Sequence, residues 1–203
     1  FTSTSEVYAH SLKSKIIKIP TPEKVDLMIP SHPIRRYSYF ISKIYGELML
    51  SYSEIPHVIV RPHNIYGPRM GFSHVIPELF IKSLKSKENQ KIELSSSNHT
   101  RSFCFIDDAV IMIHKLLINV KIKSHTFNIG NPNEEIKISK LFKYINLITD
   151  KKNIKFVNIN PKNNSPSRRC PDTKKYENIF GKHNYIGIEQ GLKKYFEWYK
   201  KII

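Results

Sequence analysis

Short apolar runs alternate with helix-length amphipathic segments along almost the whole chain. The plainest run is Val58-Ile59-Val60, continuous and therefore suited to a strand covered on both faces. A helix is expected before it, from about Ser38 to Ser53, with Ile41, Ile44, Leu48 and Tyr52 as its apolar stripe. A helix from Val75 to Lys85 and a short strand at Ile92–Leu94 follow. Thr100 to Ile106 alternates as a strand does, and Asp107 is expected to cap a helix running to about Asn119. Phe127-Asn128-Ile129 reads as a strand ended by Gly130-Asn131-Pro132, and a further helix–strand pair spans 139–149 and 154–159. Helices at about 173–180 and 188–201 close the chain. This alternation predicts an α/β fold with a largely parallel sheet.

The connecting stretches are uneven. Residues 1–8 are hydroxyl-rich and β-prone, whereas 9–36 contain four prolines and read as one long loop, a length usually tied to function or a lid. The turn-rich run from Pro62 to Arg69 follows a strand end directly, where α/β sheets bind ligands. Residues 160–172 also read as loop. At 203 residues the chain suits one domain, or one domain with a lobe. It begins in mid-strand with Phe1 rather than Met, which suggests a fragment.

The formal charge of +16 would ordinarily point to nucleic acid or an anionic surface. The lysines are scattered rather than clustered, so solvated faces and a codon bias toward Lys, Ile and Asn explain most of it; no specific nucleic-acid partner is expected. A phosphate-bearing small substrate would also suit the charge. No apolar run reaches the ~18 residues of a spanning helix, so no membrane partner is expected. Cys104 and Cys170 lack metal-ligand spacing, and no metal site is expected among the nine histidines; His63, His74 and His99 read as loop or surface residues. A reducing cytoplasm is the expected compartment.

Chemistry enters with Tyr39 and Lys43. Four residues apart on a helix, they share one face. A phenol titrating near pH ~10 is a poor base at neutral pH, and a neighbouring cation favours its phenolate. Such a pair can take a proton from an alcohol. Thr4, in a strand–loop segment, supplies a hydroxyl able to hydrogen-bond that alcohol.

With these residues the sequence resembles the extended short-chain dehydrogenase/reductase superfamily, in its NAD-dependent nucleotide-sugar epimerase/dehydratase branch. The resemblance is carried by Ser3-Thr4-Ser5-Glu6-Val7-Tyr8, Tyr39-Phe40-Ile41-Ser42-Lys43 with Gly46-Glu47, and the run from Arg61-Pro62-His63-Asn64 to Arg69. Thr100-Arg101-Ser102-Phe103, Asp107-Asp108-Ala109, Phe127-Asn128-Ile129-Gly130 and Arg168-Arg169-Cys170-Pro171-Asp172 complete it, in the family's order. It implies the second half of a Rossmann-type parallel sheet plus a smaller C-terminal α/β lobe. Residues 1–66 would belong to the NAD-binding domain and 67–203 mainly to the nucleotide-sugar lobe, with 100–130 partly returning to the first. Tyr39 would be the base, Lys43 its partner and a ligand of the cofactor ribose, Thr4 the substrate-orienting hydroxyl and Glu6 a further catalytic group. Ser3 and Pro62 would help hold NAD. Asn64 would contact the nucleotide diphosphate, Arg101 and Arg169 (or its neighbour Arg168) the nucleotide phosphate or ribose, and His74 and Val75 its base.

Related 4,6-dehydratases carry Thr-Asp-Glu where this chain has Thr4-Ser5-Glu6, and serine is a poor general acid. The resemblance therefore favours a UDP-sugar 4-epimerase, working by C4 oxidation, rotation of the ketosugar and hydride return. A UDP-glucuronate decarboxylase-like or 4,6-dehydratase-like enzyme is the alternative, and a catalytically silent nucleotide-sugar-binding remnant is another. The family's Gly-rich pyrophosphate turn has no counterpart, so the adenine end of NAD would lack its cradle. A homodimer is expected of the complete enzyme.

Overall fold

The structure is a computed structural model describing residues 1–32, 34–35, 37–151, 153–159 and 165–202. Residues 1–3 are extended beside a later strand, with Ser3 N donating to Val60 O at 2.8 Å and Val60 N to Phe1 O at 3.0 Å. Thr4 ends that extension: its Oγ1 accepts from Glu6 N at 3.2 Å and opens a 3-10 turn, Ser5–Tyr8, which runs into α1 (Ala9–Lys13). The expected β-stretch 1–8 is thus half helical, and the expected loop from residue 9 begins as a helix. A local cap overrides β propensity there. Pro33 and Arg36, at the far end of that loop, lie outside the described residues.

The next helix, α2 (Tyr37–Ser51), forms where the sequence puts it but buries a different face. Tyr37, Phe40 and Ile44 point inward, onto Val7, Tyr8 and Leu12, and Glu47 is buried against Ser3 and Arg61, while Leu48 and Tyr52 of the expected stripe are exposed. The aromatic residues at 37 and 40 have larger apolar surfaces to bury against the 3-10 turn, and that sets the rotation.

The strand β1 (Val58–Pro62) is followed by β2 (Ile65–Tyr66), α3 (Val75–Lys85) and β3 (Lys91–Ser95). The expected strand at 100–106 is two short ones, β4 (Thr100–Ser102) and β5 (Cys104–Phe105), which join different sheets. Helix α4 (Ile106–Ile118) has Phe105 rather than Asp107 at its N-cap; Asp107 lies in the first turn and pairs with Lys194 at 3.4 Å. Then come β6 (His125–Ile129), β7 (Glu135–Lys137), α5 (Ile138–Ile148), β8 (Lys155–Ile159), β9 (Arg168–Arg169), α6 (Lys174–Phe180) and α7 (Ile188–Tyr199). The expected loop at 160–172 therefore contains a strand, and 160–164 lie outside the described residues.

The pairings are mostly parallel: β1 with β6, β2 with β5, β3 with β8 and β4 with β9; β4 with β7 is antiparallel. Three apolar clusters result. Residues 7–44 enclose the α1–α2 packing, β1 and β6 pack on α4 and Tyr176, and the largest cluster joins α3, α5 and α7. Tyr195 and Tyr199 are buried in that last cluster, with the Tyr195 ring 5.3 Å from that of Phe80, and Phe196 and Trp198 pack partly buried against it.

Candidate active site

Residues 1–3 lie along one face of α2. Lys43 Nζ donates to Thr2 O at 2.9 Å, and one turn further on Glu47 accepts from Ser3 Oγ. Tyr39, Lys43 and Glu47 thus form a stripe at four-residue spacing, and the last two members fix the helix against the segment that carries Thr4. Lys43 Nζ stands 5.8 Å from the centre of the half-exposed Tyr39 ring and 5.2 Å from that of Phe1. The ammonium has three N–H donors, of which one is directed to Thr2 O. Ser3 itself is buried and its hydroxyl is spent on Glu47; Pro62, at the end of β1, is half-buried.

A second group gathers on one face of the β7–β4–β9 sheet. Arg101 and Arg169 are register partners, so their side chains leave the same face, and alternation sends Arg168 to the other. Arg168 accordingly binds Glu135, with Nε–Oε1 2.8 Å, while Arg169 forms an ion pair with Glu6. Of the two arginines, Arg169 is the one that faces Glu6. Arg169 is nearly sealed, with 6% of its side chain exposed, and its Nε is buried without a hydrogen-bond partner. Arg101 donates to Pro166 O at 2.7 Å, Ser165 Oγ at 3.0 Å, Ser167 O at 3.2 Å and Thr100 O at 2.7 Å, bracing the approach to β9. Asn64 adopts a left-handed backbone (φ +43°) and its Nδ2 donates to Ser102 O at 3.0 Å, tying the β1 exit to the same sheet. Thr4, Glu6, Asn64, Arg101 and Arg169 are therefore linked. His74 and Val75 open α3, His74 exposed as its N-cap and Val75 half-buried.

Behind both groups runs a buried polar network that the sequence did not reveal. Arg61 donates from Nε to Glu47 at 2.9 Å, and from Nη1 to Tyr8 Oη at 2.7 Å and Glu23 O at 3.0 Å. Burial opposes the Arg61 charge, but the bonds to Glu47 and Tyr8 outweigh it and hold its pKa above the ordinary value. Tyr8 Oη donates to Asn128 Oδ1 at 2.9 Å, and burial pushes this phenol up to about 12. His63, expected as a loop or surface residue, lies in the loop after β1 but is 2% exposed, and burial takes its pKa down to about 3, so the ring is neutral. One signal was available: Glu47 continues the Tyr39–Lys43 spacing by one more turn.

The NAD dependent epimerase/dehydratase family model matches residues 1–130, and the chain belongs to that family. It is 29% identical to the UDP-N-acetyl-alpha-D-glucosaminuronate decarboxylase of Bacillus cytotoxicus, a match covering all of this chain and 63% of that protein. Against UDP-glucuronic acid decarboxylase 6 of Arabidopsis thaliana it is also 29% identical, over 94% of this chain and 54% of the relative. Among solved structures, the UDP-glucose 4-epimerase of Thermotoga maritima with UDP-glucose superposes at a TM-score of 0.78 with 26% identity, covering all of this chain and 63% of that one. The chain thus spans less than two thirds of the length of each.

Proposed function

We propose that this member of the NAD-dependent epimerase/dehydratase family carries the proton-transfer and nucleotide-sugar-binding part of an NAD-dependent enzyme that oxidises C4 of a UDP-sugar. The observation that carries the proposal is the convergence of two sets of residues on one segment. Lys43 and Glu47 of the Tyr39 helix grip residues 2–3, while Arg169 of the opposite sheet grips Glu6. The sugar would lie between them.

Tyr39 takes the proton of the C4 hydroxyl, with the Lys43 ammonium beside its ring. Thr4 Oγ1 accepts from Glu6 N and keeps its own O–H to donate to the same sugar oxygen. The remaining Lys43 donors and the exposed Tyr39 edge fit a nicotinamide ribose, with Ser3 and Pro62 beside it. Bound NAD would supply the hydride acceptor. Arg169, supported by Arg101 and Asn64, meets the diphosphate, a match of planar guanidinium to phosphate oxygens. His74 and Val75 would flank the base, and residues 1–66 with part of 100–130 would form the cofactor side.

For the fate of the 4-keto sugar, decarboxylation of a UDP-uronate is the reading supported by the likeness to two decarboxylases, each 29% identical, over all and 94% of this chain. A 4-keto uronate is a β-keto acid: the C5–C6 bond breaks, CO2 leaves, and its electron pair passes into the C4 carbonyl before C5 is protonated. That needs no acid at Ser5. The residue-based reading, 4-epimerisation, is supported by the likeness to the Thermotoga maritima 4-epimerase and stands second. A homodimer in the cytoplasm completes the proposal, and the two buried free thiols, Cys104 and Cys170, suit a reducing compartment.

The test is a panel of UDP-glucuronate, UDP-N-acetylglucosaminuronate and UDP-glucose given to the natural full-length protein with NAD. CO2 release with a pentose-type product supports decarboxylation, and C4 inversion without CO2 supports epimerisation. Tyr39→Phe is expected to lower kcat by about 10²–10⁴-fold. Equal turnover by that variant would remove Tyr39 from the mechanism.

A further inference from the structure

Asn128 is wholly buried, and its amide uses every hydrogen-bonding position it has. Oδ1 accepts from Tyr8 Oη at 2.9 Å and lies 3.1 Å from His63 Nε2. Nδ2 donates to Thr21 O at 2.9 Å and Asp172 O at 3.1 Å, and the backbone N donates to Glu23 Oε1 at 2.9 Å. Two carbonyls facing Nδ2 fix the amide's orientation. That in turn requires His63 to donate from Nε2, which agrees with its neutral state.

Three of the four partners of that amide stand close in sequence to a residue of the candidate site, and the fourth, Thr21, lies in the long loop. Tyr8 is two residues after Glu6, His63 immediately precedes Asn64, and Asp172 is three residues after Arg169. The segment between Arg169 and Asp172 is tied to the long loop by Thr21 N to Cys170 O and Asp172 N to Thr21 O, both 2.9 Å, and Asn128 holds the Thr21 and Asp172 carbonyls at once. Asn128 also sits on β6, the strand paired with β1, so its position is set by the rigid parallel pair rather than by a loop.

We propose that Asn128 is the positioning residue for Arg169: through the Thr21 and Asp172 carbonyls its Nδ2 locks the 170–172 segment and the long loop to strand β6, and thereby sets the Arg169 guanidinium where a nucleoside diphosphate is bound. This rests on the proposed nucleotide-sugar function. Asn128 touches neither substrate nor cofactor. It acts through the backbone carbonyls of Thr21 and Asp172.

The experiment is a double-mutant cycle read by calorimetric binding of UDP to the full-length protein. Asn128→Asp keeps size and shape but turns two donors into acceptors facing carbonyls. It is expected to weaken UDP about tenfold or more, as Arg169→Ala does. In the Arg169→Ala background it should add less than about twofold, because the two act through one contact. Tyr8→Phe, which leaves both Nδ2 bonds intact, is the control expected to stay within about twofold of wild type. Thermal melts report folding, and Asn128→Ala, which removes the amide without reversing its polarity, replaces Asn128→Asp in the cycle if that variant does not fold. Additive losses, or a Tyr8→Phe loss as large as that of the Asn128 variant, would overturn the positioning role. UDP binding untouched by Arg169→Ala would instead count against the nucleotide-sugar function itself.

Discussion

Removing the Glu47 carboxylate strands a buried cation, and the size of the effect can be worked out beforehand. The side chains of Arg61 and Glu47 are only 7% and 8% exposed. Glu47→Ala takes away the acceptor of Arg61 Nε and Nη2 and of Ser3 Oγ at a stroke. Arg61 cannot escape by losing its proton, since its pKa already lies above the ordinary arginine value. Stranding one member of a buried pair costs about 3–5 kcal/mol. For a chain of this size each kcal/mol moves the melting temperature by about 2–4 °C, so a fall of about 6–20 °C is expected in calorimetry. The double variant Glu47→Leu/Arg61→Met removes both charges and should recover most of the loss. A single variant melting within about 2 °C of wild type, or a double variant as unstable as the single, would refute the claim that this pair holds α2 against the strand.

Two other outcomes follow from burial. At Gly191 in α7 a Cβ would run into the Tyr66 hydroxyl and come 3.0 Å from the Phe105 ring, so Gly191→Ala should cost about 1–3 kcal/mol in urea unfolding. The His63 ring should show no protonation between pH 5 and 8 in NMR titration, because burial holds its pKa near 3. In the unfolded chain the same ring titrates near 6.5, so between about 6.5 and 3 the unfolded state binds the extra proton. Stability is therefore whole above pH ~6.5 and falls as pH drops through that window, and a His63 variant that still folds should show a shallower slope.

Much of the fold was legible because periodicity was strong. Val75–Lys85 forms the helix its spacing implies, and β6 forms around Phe127-Asn128-Ile129. Local spacing could not say which apolar face of α2 turns inward, since Ile41, Leu48 and Tyr52 are as apolar as the residues that won. The decision was made by Val7, Tyr8 and Leu12, some thirty residues away. Thr4, Glu6, Asn64 and Arg169 were visible as motif members. Arg168 and Arg169 could not be separated until the β4–β9 register assigned them to opposite faces. The network of Tyr8, Arg61, Glu47, His63 and Asn128 was invisible because its members are spread over 120 residues of sequence, from Tyr8 to Asn128, and each has an ordinary local role.

The same burial bears on what the +16 charge is for. A polymer such as nucleic acid meets exposed cations, and its binding falls steeply with salt because each phosphate contact releases counterions. Arg169 is nearly sealed and already paired with Glu6, so a polymer backbone meets the exposed lysines instead. Buried charge pairs are also screened far less than exposed ones. Filter retention of single-stranded DNA should therefore be lost between about 50 and 200 mM salt. UDP affinity, measured by calorimetry on the same preparation, should weaken by less than about threefold across that range. A UDP affinity that collapsed in parallel with DNA retention would mean that the diphosphate is held by the scattered surface lysines, and Arg169 would lose its role as the residue that meets it.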